Sequence, residues 1–351
     1  MLTKAETQRQ EVHGATPRSH KSAMGQFMTP ASIAAFMANL FEPRNGDIRL
    51  LDAGAGLGAL TCAVLDRWKD GELGQGQMTV QAHEMDDRLR AHLDETLAGY
   101  AADGVQVRVK SGDYLAQAAV EIEYGKNFFT HAILNPPYKK INADSDARAQ
   151  ARRAGLETVN LYSAFVGLAL AQLSDGGQLV AIIPRSFCNG PYYKPFRRFI
   201  LEKAALKHVH LFDSRTDAFK DDEVLQENVI LLLERGATQG NVRISHSRDD
   251  QFTDTSEHDY PFASIVKPND AECFIHVPGT QADAIDASTQ VDTALSELGI
   301  AVSTGPVVDF RAKDHLHKQP TNTSVPLLYA QHFDHHLTVW PIEGKKPNAI
   351  E

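Results

Sequence analysis

The residues with the most chemistry to offer are Asn135-Pro136-Pro137-Tyr138, directly after the apolar run His131-Ala132-Ile133-Leu134. An amine on a planar, conjugated carbon is a poor nucleophile because its lone pair is delocalised. Two acceptors held against its two hydrogens push the nitrogen toward tetrahedral geometry and free that pair. The Asn135 side-chain oxygen and the Pro136 carbonyl suit this task, and the proline pair stiffens the backbone carrying the carbonyl. Tyr138 adds a ring on which an extruded planar group can stack. No general base is evident and none is required, since the amine proton can leave after the attack. Alignment and electrostatics then supply the rate. Taken alone, the tetrapeptide also fits a rigid turn after a strand, so its neighbours decide.

The partner for such an amine is read from Leu50-Leu51-Asp52-Ala53-Gly54-Ala55-Gly56-Leu57-Gly58, a strand running into a glycine loop. Glycines let the backbone turn tightly and approach a ligand closely. The spacing is G-x-G-x-G and departs from the dinucleotide pattern G-x-G-x-x-G. Asp52 beside the loop would repel a pyrophosphate but attract a zwitterionic amino acid bearing a sulfonium cation. At the end of the next strand, Glu84 can accept from both hydroxyls of a ribose, and Met85 can pack on a base face. The same two residues also fit a helix N-terminal acid and a core methionine. Asp113, in Ser111-Gly112-Asp113-Tyr114, can accept from an adenine amine or serve an ordinary turn. In a parallel sheet, ligands sit beyond the carboxyl ends of the strands. Asp52, Glu84, Asp113 and Asn135 are therefore expected to face one cleft, and the implied cofactor is S-adenosyl-L-methionine.

The elements that must position these residues alternate. Strands are expected at Asp47–Leu51, Met78–His83, Val105–Lys110, His131–Leu134, Gln178–Ile183, Leu206–Phe212 and Asn228–Glu234. Helices are expected at Ala31–Phe41, from the glycine loop through Trp68, and at Asp86–Leu97, Asn160–Leu173 and Tyr193–Lys203. This alternation predicts an α/β fold with a mostly parallel seven-stranded sheet and an antiparallel edge hairpin. Residues 1–23 read as a flexible arm and 24–240 as the catalytic domain. Residues 241–351 read as a C-terminal extension, and 139–156 as a mobile polar loop. The chain has 351 residues, 42% hydrophobic and 23% charged, as a soluble globular enzyme does. No apolar run approaches the roughly 20 residues of a bilayer span. The polar N-terminus is no secretory signal. Cys62, Cys188 and Cys273 follow no metal spacing and read as reduced thiols of a cytoplasmic protein. His332, His335 and His336 read as surface or packed histidines rather than metal ligands. The net charge of −10 does not suggest nucleic acid. Lys139-Lys140, Arg148 with Arg152-Arg153, and Lys194 with Arg197-Arg198 nevertheless allow a local basic cleft.

Taken in order, these stretches resemble the gamma-class amino-methyltransferases of restriction–modification systems, the TaqI-like group. Gly25-Gln26-Phe27-Met28-Thr29-Pro30 resembles that family's N-terminal cofactor motif, which places Phe27, Thr29 and Pro30 by the methionine moiety. Asp52–Gly58 (with Ala53, Gly54 and Gly56), Glu84-Met85, Asp113-Tyr114 and Asn135–Tyr138 follow. Asn160–Phe165 resembles the helix that closes the cofactor pocket, and Gly177–Phe187 a later strand and loop. Phe219 resembles an aromatic that closes on the other face of a flipped base, and also fits a loop anchor. Val302–Arg311 resembles the approach to a recognition region.

The likeness covers most of residues 24–310. It implies the Rossmann-like methyltransferase fold and methyl transfer to the N6 amine of a flipped-out adenine in double-stranded DNA. A cognate restriction endonuclease is the implied partner. It also implies a target-recognition region that is begun but left incomplete within 241–351. Protein-glutamine methylation, RNA N6-adenine methylation and a catalytically idle subunit remain the alternatives.

Overall fold

The structure is a computed structural model. It describes residues 2–15, 28–125, 128–213, 227–278, 293, 295, 297–301, 305 and 307–351. Two compact units result, Met1–Asp286 and Ala287–Glu351.

The first unit is built on a nine-stranded sheet among the described residues. Its strands are β1 (Ile48–Ala53), β2 (Met78–His83), β3 (Gln106–Lys110), β4 (Phe129–Leu134), β5 (Leu173–Pro184), β6 (Ala204–Phe212), β7 (Asn228–Arg235), β8 (Val242–Ser247) and β9 (Ser256–Tyr260). The order is β3-β2-β1-β4-β5-β7-β6-β8-β9. The first five strands are mutually parallel, and β7 lies antiparallel between β5 and β6. The chain steps outward from β1 to β3 and returns as β4 on the other side of β1. That reversal opens a crevice at the carboxyl ends of β1 and β4.

Two findings differ from the expectation. β6 and β7 do pair antiparallel, but they are not the edge, because β8 pairs with β6 and β9 with β8. The first compact unit accordingly continues to Asp286, past the change of sequence pattern near residue 240.

The central strands β1, β4, β5 and β7 are largely buried on both faces because both are covered. Ile48 and Leu50 of β1, with Val180 and Ile182 of β5, pack toward α1 (Leu2–Ala15), α2 (Ala31–Asn39), α3 (Ala59–Lys69) and α4 (Asp87–Ala102). Leu51 and Ala53, with Leu179, Ala181 and Ile183, pack toward α5 (Tyr114–Glu123), α6 (Asp146–Arg153), α7 (Leu161–Gln172) and α8 (Lys194–Lys203). The two-residue period of each strand assigns its residues alternately to these two cores.

Three helices depart from the sequence reading. α1 occupies part of the expected arm. Few of its residues are apolar, and it docks largely by polar contacts: Leu2 N–H to Asp66 Oδ2 (3.2 Å), Lys4 Nζ to Glu95 Oε1 (2.9 Å) and Thr96 Oγ1 to Gln8 Oε1 (3.0 Å). α6 lies in the stretch expected as a mobile loop. Ser145 caps it by accepting from Arg148 N–H, and Asp146 and Arg152-Arg153 sit at the ends the helix dipole favours. α5 was not anticipated; Asp113 caps it.

The second unit holds a three-stranded sheet of β10 (Leu316–His317), β14 (Ala349–Ile350) and β11 (Val325–Pro326), and a hairpin of β12 (Phe333–Asp334) with β13 (Leu337–Thr338). His332 is buried with Nε2 2.8 Å from Asn348 Oδ1, so it packs as a polar anchor, while His335 is exposed. Among the described residues no helix is long and apolar enough to cross a membrane.

Candidate functional site

A cavity of about 320 Å³ opens at the carboxyl ends of β1, β2 and β4, in the size range of small-ligand sites. The glycine loop forms its floor. Gly54 and Gly56 have φ of 88° and 56°, the left-handed region that glycine tolerates best. A Cβ on Gly56 would meet nothing within 4 Å, and one on Gly54 would meet Phe165 Cε1 at 3.7 Å. The loop therefore presents bare backbone with open space beside it.

Glu84 joins the loop to the next turn. Its Oε2 accepts from Gly56 N–H and its Oε1 from Asp86 N–H, both at 2.8 Å. Burial holds its carboxyl above the usual range, although those two N–H groups oppose the shift. Met85 beside it is 55% exposed, so it stands on the cavity wall rather than in the core. Asp113 lines the cavity and also accepts from Leu115 N–H at 2.9 Å, so it serves the turn as well. Tyr114 lines the cavity with its ring, and its hydroxyl donates to Gln172 Oε1 at 2.8 Å.

Asp52 does not line the cavity as expected, and neither does Ala53. Asp52 is fully buried behind the loop, where Oδ2 accepts from Thr61 Oγ1 at 2.6 Å and Oδ1 has no hydrogen-bond partner. Burial pushes its carboxyl up to about 7; the Thr61 hydroxyl opposes that and the charge of Glu84 adds to it. A buried carboxylate oxygen without a partner, behind a thin loop, creates a field that favours a positive ligand group. The ammonium and sulfonium of S-adenosylmethionine fit that environment.

The tetrapeptide leaves the end of β4. Asn135 and Pro137 line the cavity, while Pro136 is buried beside them. Asn135 Nδ2 donates to Thr29 Oγ1 at 3.0 Å, and Thr29 lines the cavity from the segment before α2. Pro30 is the N-cap residue just ahead of α2 and is not on the wall. Tyr138 is not an open platform. Its ring packs edge-on to Tyr162 with centroids 6.2 Å apart, and its hydroxyl lies 3.1 Å from Asn135 Oδ1 and 3.2 Å from the Ile182 carbonyl. Phe27 and Phe219 lie outside the described residues.

Several wall residues escaped the sequence reading. Ala5 and Arg9 come from α1, and Arg9 is buried against Glu6. Glu6 in turn accepts from Ala31 N–H at 3.1 Å, at the start of α2. His83 is held neutral, its imidazole pushed down to about 4 by burial and by Lys110. Leu161 and Phe165 of α7 close one side, where the sequence resemblance places a closing helix.

The expected basic clusters are largely engaged within the protein. Arg148 and Arg152 bond Glu157, Arg153 bonds Glu123, Lys194 bonds Glu272, and Arg197 donates to the Phe187, Gly190 and Glu272 carbonyls. Lys139 is exposed at the cavity wall.

Residues 81–219 match the family model of Eco57I restriction-modification methylases. The chain is 48% identical over 342 residues to the Type II methyltransferase M.BsuBI of Bacillus subtilis, covering 94% of this chain and 68% of that protein. It is 40% identical over 343 residues to the Type II methyltransferase M.PstI of Providencia stuartii, covering 94% and 67%. The fold is similar to a crystal structure of a modification subunit of a putative type I restriction enzyme from Vibrio vulnificus, with TM-score 0.58, 14% identity, and 81% and 64% of the two chains covered. It is also similar to a putative class I S-adenosylmethionine-dependent methyltransferase from Listeria monocytogenes, with TM-score 0.50, 15% identity, and 64% and 67% covered. The α/β architecture, the cavity beside the glycine loop and this extent of identity converge: the chain belongs to the Type II methyltransferase family of restriction–modification systems.

Proposed function

We infer that the chain methylates the exocyclic N6 amine of an adenine flipped out of double-stranded DNA, as a gamma-class, TaqI-like enzyme working beside a cognate restriction endonuclease. The observation that carries this reading is the cavity itself: Gly54, Gly56, Glu84 and Asp113 share one wall system with Asn135. S-adenosylmethionine, when bound, supplies an electrophilic methyl group on sulfur. In this reading the Gly54–Gly56 backbone, Glu84, Met85, Asp113, Tyr114 and Thr29 hold it, and Asp52 favours its positive charges from behind.

The chain's own residues do the rest. Asn135 Oδ1 and the Pro136 carbonyl accept from the target amine and aim its lone pair. Leu161 and Phe165 of α7 give the cavity an apolar side. A base in a duplex is beyond reach of such a recess, so it must leave the stack. The sequence resemblance assigns the aromatic contacts with the extruded base to Tyr138 and Phe219; Tyr138, packed edge-on to Tyr162, meets a base only once its ring turns from that contact.

The test is methyl transfer from tritiated S-adenosylmethionine to mixed genomic DNA, with tRNA and protein release factor as parallel acceptors, followed by nucleoside analysis. N6-methyladenine from DNA is the expected product. N4-methylcytosine would transfer the reading to another amine, and label confined to RNA or protein would overturn it.

A further inference from the structure

S-adenosylmethionine carries an ammonium, a sulfonium and a carboxylate, and a recess that holds it must answer each. The acids of the cavity, Glu84 and Asp113 on the wall and Asp52 behind it, suit the cations and the hydroxyls. They repel the carboxylate, which needs a cation or donors of its own. With His83 held neutral, the wall cations among the described residues are Arg9 and Lys139. Lys139 is exposed, whereas Arg9 is only 6% exposed. A guanidinium that deep is costly unless its donors are met. Glu6 fixes one edge of the fork, accepting from Nε at 3.0 Å and from Nη2 at 2.8 Å. A guanidinium offers five N–H donors, more than one carboxylate can use.

Position agrees with charge. Ala5 and Arg9 lie one turn apart on α1 and both line the cavity, so one face of this helix forms part of its wall. Glu6 also accepts from Ala31 N–H at 3.1 Å, and nearby in the same segment Thr29 meets Asn135. Through Glu6, Arg9 is thus fastened to the segment that reaches the catalytic tetrapeptide. The methyl group and the amino-acid chain of the cofactor share one sulfur. A methyl aimed at Asn135 therefore keeps the carboxylate within a few bonds of that region.

We propose that Arg9 is a cofactor-binding residue whose guanidinium, positioned by Glu6, takes the carboxylate of the methionine moiety. Glu6 offsets the buried charge before the cofactor enters and keeps the fork aimed afterwards. No proton changes owner and no covalent bond forms. This assignment rests on reading the cavity as the site of S-adenosylmethionine.

The experiment measures Kd by calorimetry on the full chain for two probes, S-adenosylmethionine and its decarboxylated form, in the parent, Arg9→Met, Arg9→Lys and Lys139→Ala. The parent should prefer the carboxylated probe by about 10- to 100-fold, the scale of hydrogen bonds between charged groups. Arg9→Met keeps an apolar stem without donors and should bring the two Kd values within about threefold of each other, with the loss falling on the carboxylated probe. Arg9→Lys keeps a cation against Glu6 but loses the fork, and its preference should fall between the two. Lys139→Ala removes the other wall cation and should keep the parent's preference, which separates a direct contact from a change in net charge. Both probes are measured on one folded protein, so general loosening cancels in the ratio. An unchanged preference in Arg9→Met overturns the proposal; if that variant does not fold, an unchanged preference in Arg9→Lys does so. A loss shared equally by both probes also overturns it, leaving Arg9 as a fastening between α1 and α2. So does a preference lost in Lys139→Ala but kept in Arg9→Met, which gives the carboxylate to Lys139. A parent that binds both probes equally overturns the proposal alone, whereas a parent that binds neither overturns the cofactor reading of the cavity as well.

Discussion

Asn135 and Asp52 illustrate two different burdens on single residues. Asn135 faces the cavity and in the proposed reaction touches the target rather than the cofactor. Asn135→Ala should therefore abolish methyl transfer while leaving cofactor Kd within about threefold, the pattern of an interaction made only on the way to the transition state. Calorimetry on the folded variant checks the second half. Asp52 carries a buried charge. Its carboxyl sits at about 7 in the fold against an ordinary 3.8. A group raised in this way favours folding fully below its unfolded value, and that contribution disappears as pH rises through the folded value. Asp52→Asn should accordingly melt like the parent near pH 4 and above it at pH 8, by up to a few kcal/mol in the absence of cofactor. The same variant should bind S-adenosylmethionine more weakly at pH 8. In the parent, affinity should rise as pH passes through about 7, because the ionised carboxylate favours a cation; in the variant that rise should be absent.

Among the elements, α1 links stability to the site. Glu6 pairs with Arg9 on the cavity wall and accepts the first N–H of α2, so one carboxylate fastens two helices beside Thr29. Glu6→Ala removes the Glu6–Arg9 ion pair and deprives α2 of that acceptor. A loss of about 1–3 kcal/mol is expected, together with weaker cofactor binding, and urea melts with and without S-adenosylmethionine would measure both. The loss should be smaller at pH 3 than at pH 7. The Arg9 pair and the α2 N–H hold the Glu6 carboxyl below its usual value against the opposing effect of burial, so its contribution is present at neutral pH and fades as acid protonates it. α6 is another element with a functional position. Its Ala147 reaches the cavity wall, and its Arg148 and Arg152 are tied to Glu157.

The whole molecule carries a net charge of −10, and much of its local positive charge is engaged within the protein. Under the proposed function, DNA is approached against a repulsive long-range field, and phosphate contacts must come from a few cations such as Lys139 and Lys140. With two to three such contacts, transfer to DNA should fall by only roughly 10- to 40-fold between about 50 and 200 mM salt. Binding of the zwitterionic cofactor in its recess should change little over the same range. Methylation rates and calorimetry across a salt series would check this, and Lys139→Ala should reduce the log–log salt slope by about one.

Much of the catalytic fold was legible in the residues. The strand Met78–His83 coincides with β2, and the alternating apolar runs identified the parallel strands, because burial on both faces leaves a continuous apolar signature. The order of Asp52, Glu84, Asp113 and Asn135 placed them at neighbouring strand ends, since a parallel sheet brings every carboxyl end to one side. α1 and α6 were missed because they bury little and fix their ends by caps and ion pairs, which leave no strong apolar stripe; α5 buries a short stripe of Tyr114, Leu115, Ala118 and Ala119, two of them only alanines. Nor did composition show that β8 and β9 extend the sheet; β9 is largely exposed, and its pairing with β8 is a long-range choice. The sequence alone thus determined which chemical groups meet and at which strand ends. Only the tertiary structure decided how they face: Asp52 behind the loop, Tyr138 turned onto Asn135, and Arg9 on the wall. Those orientations depend on side-chain packing between elements far apart in the chain, and no local pattern encodes them.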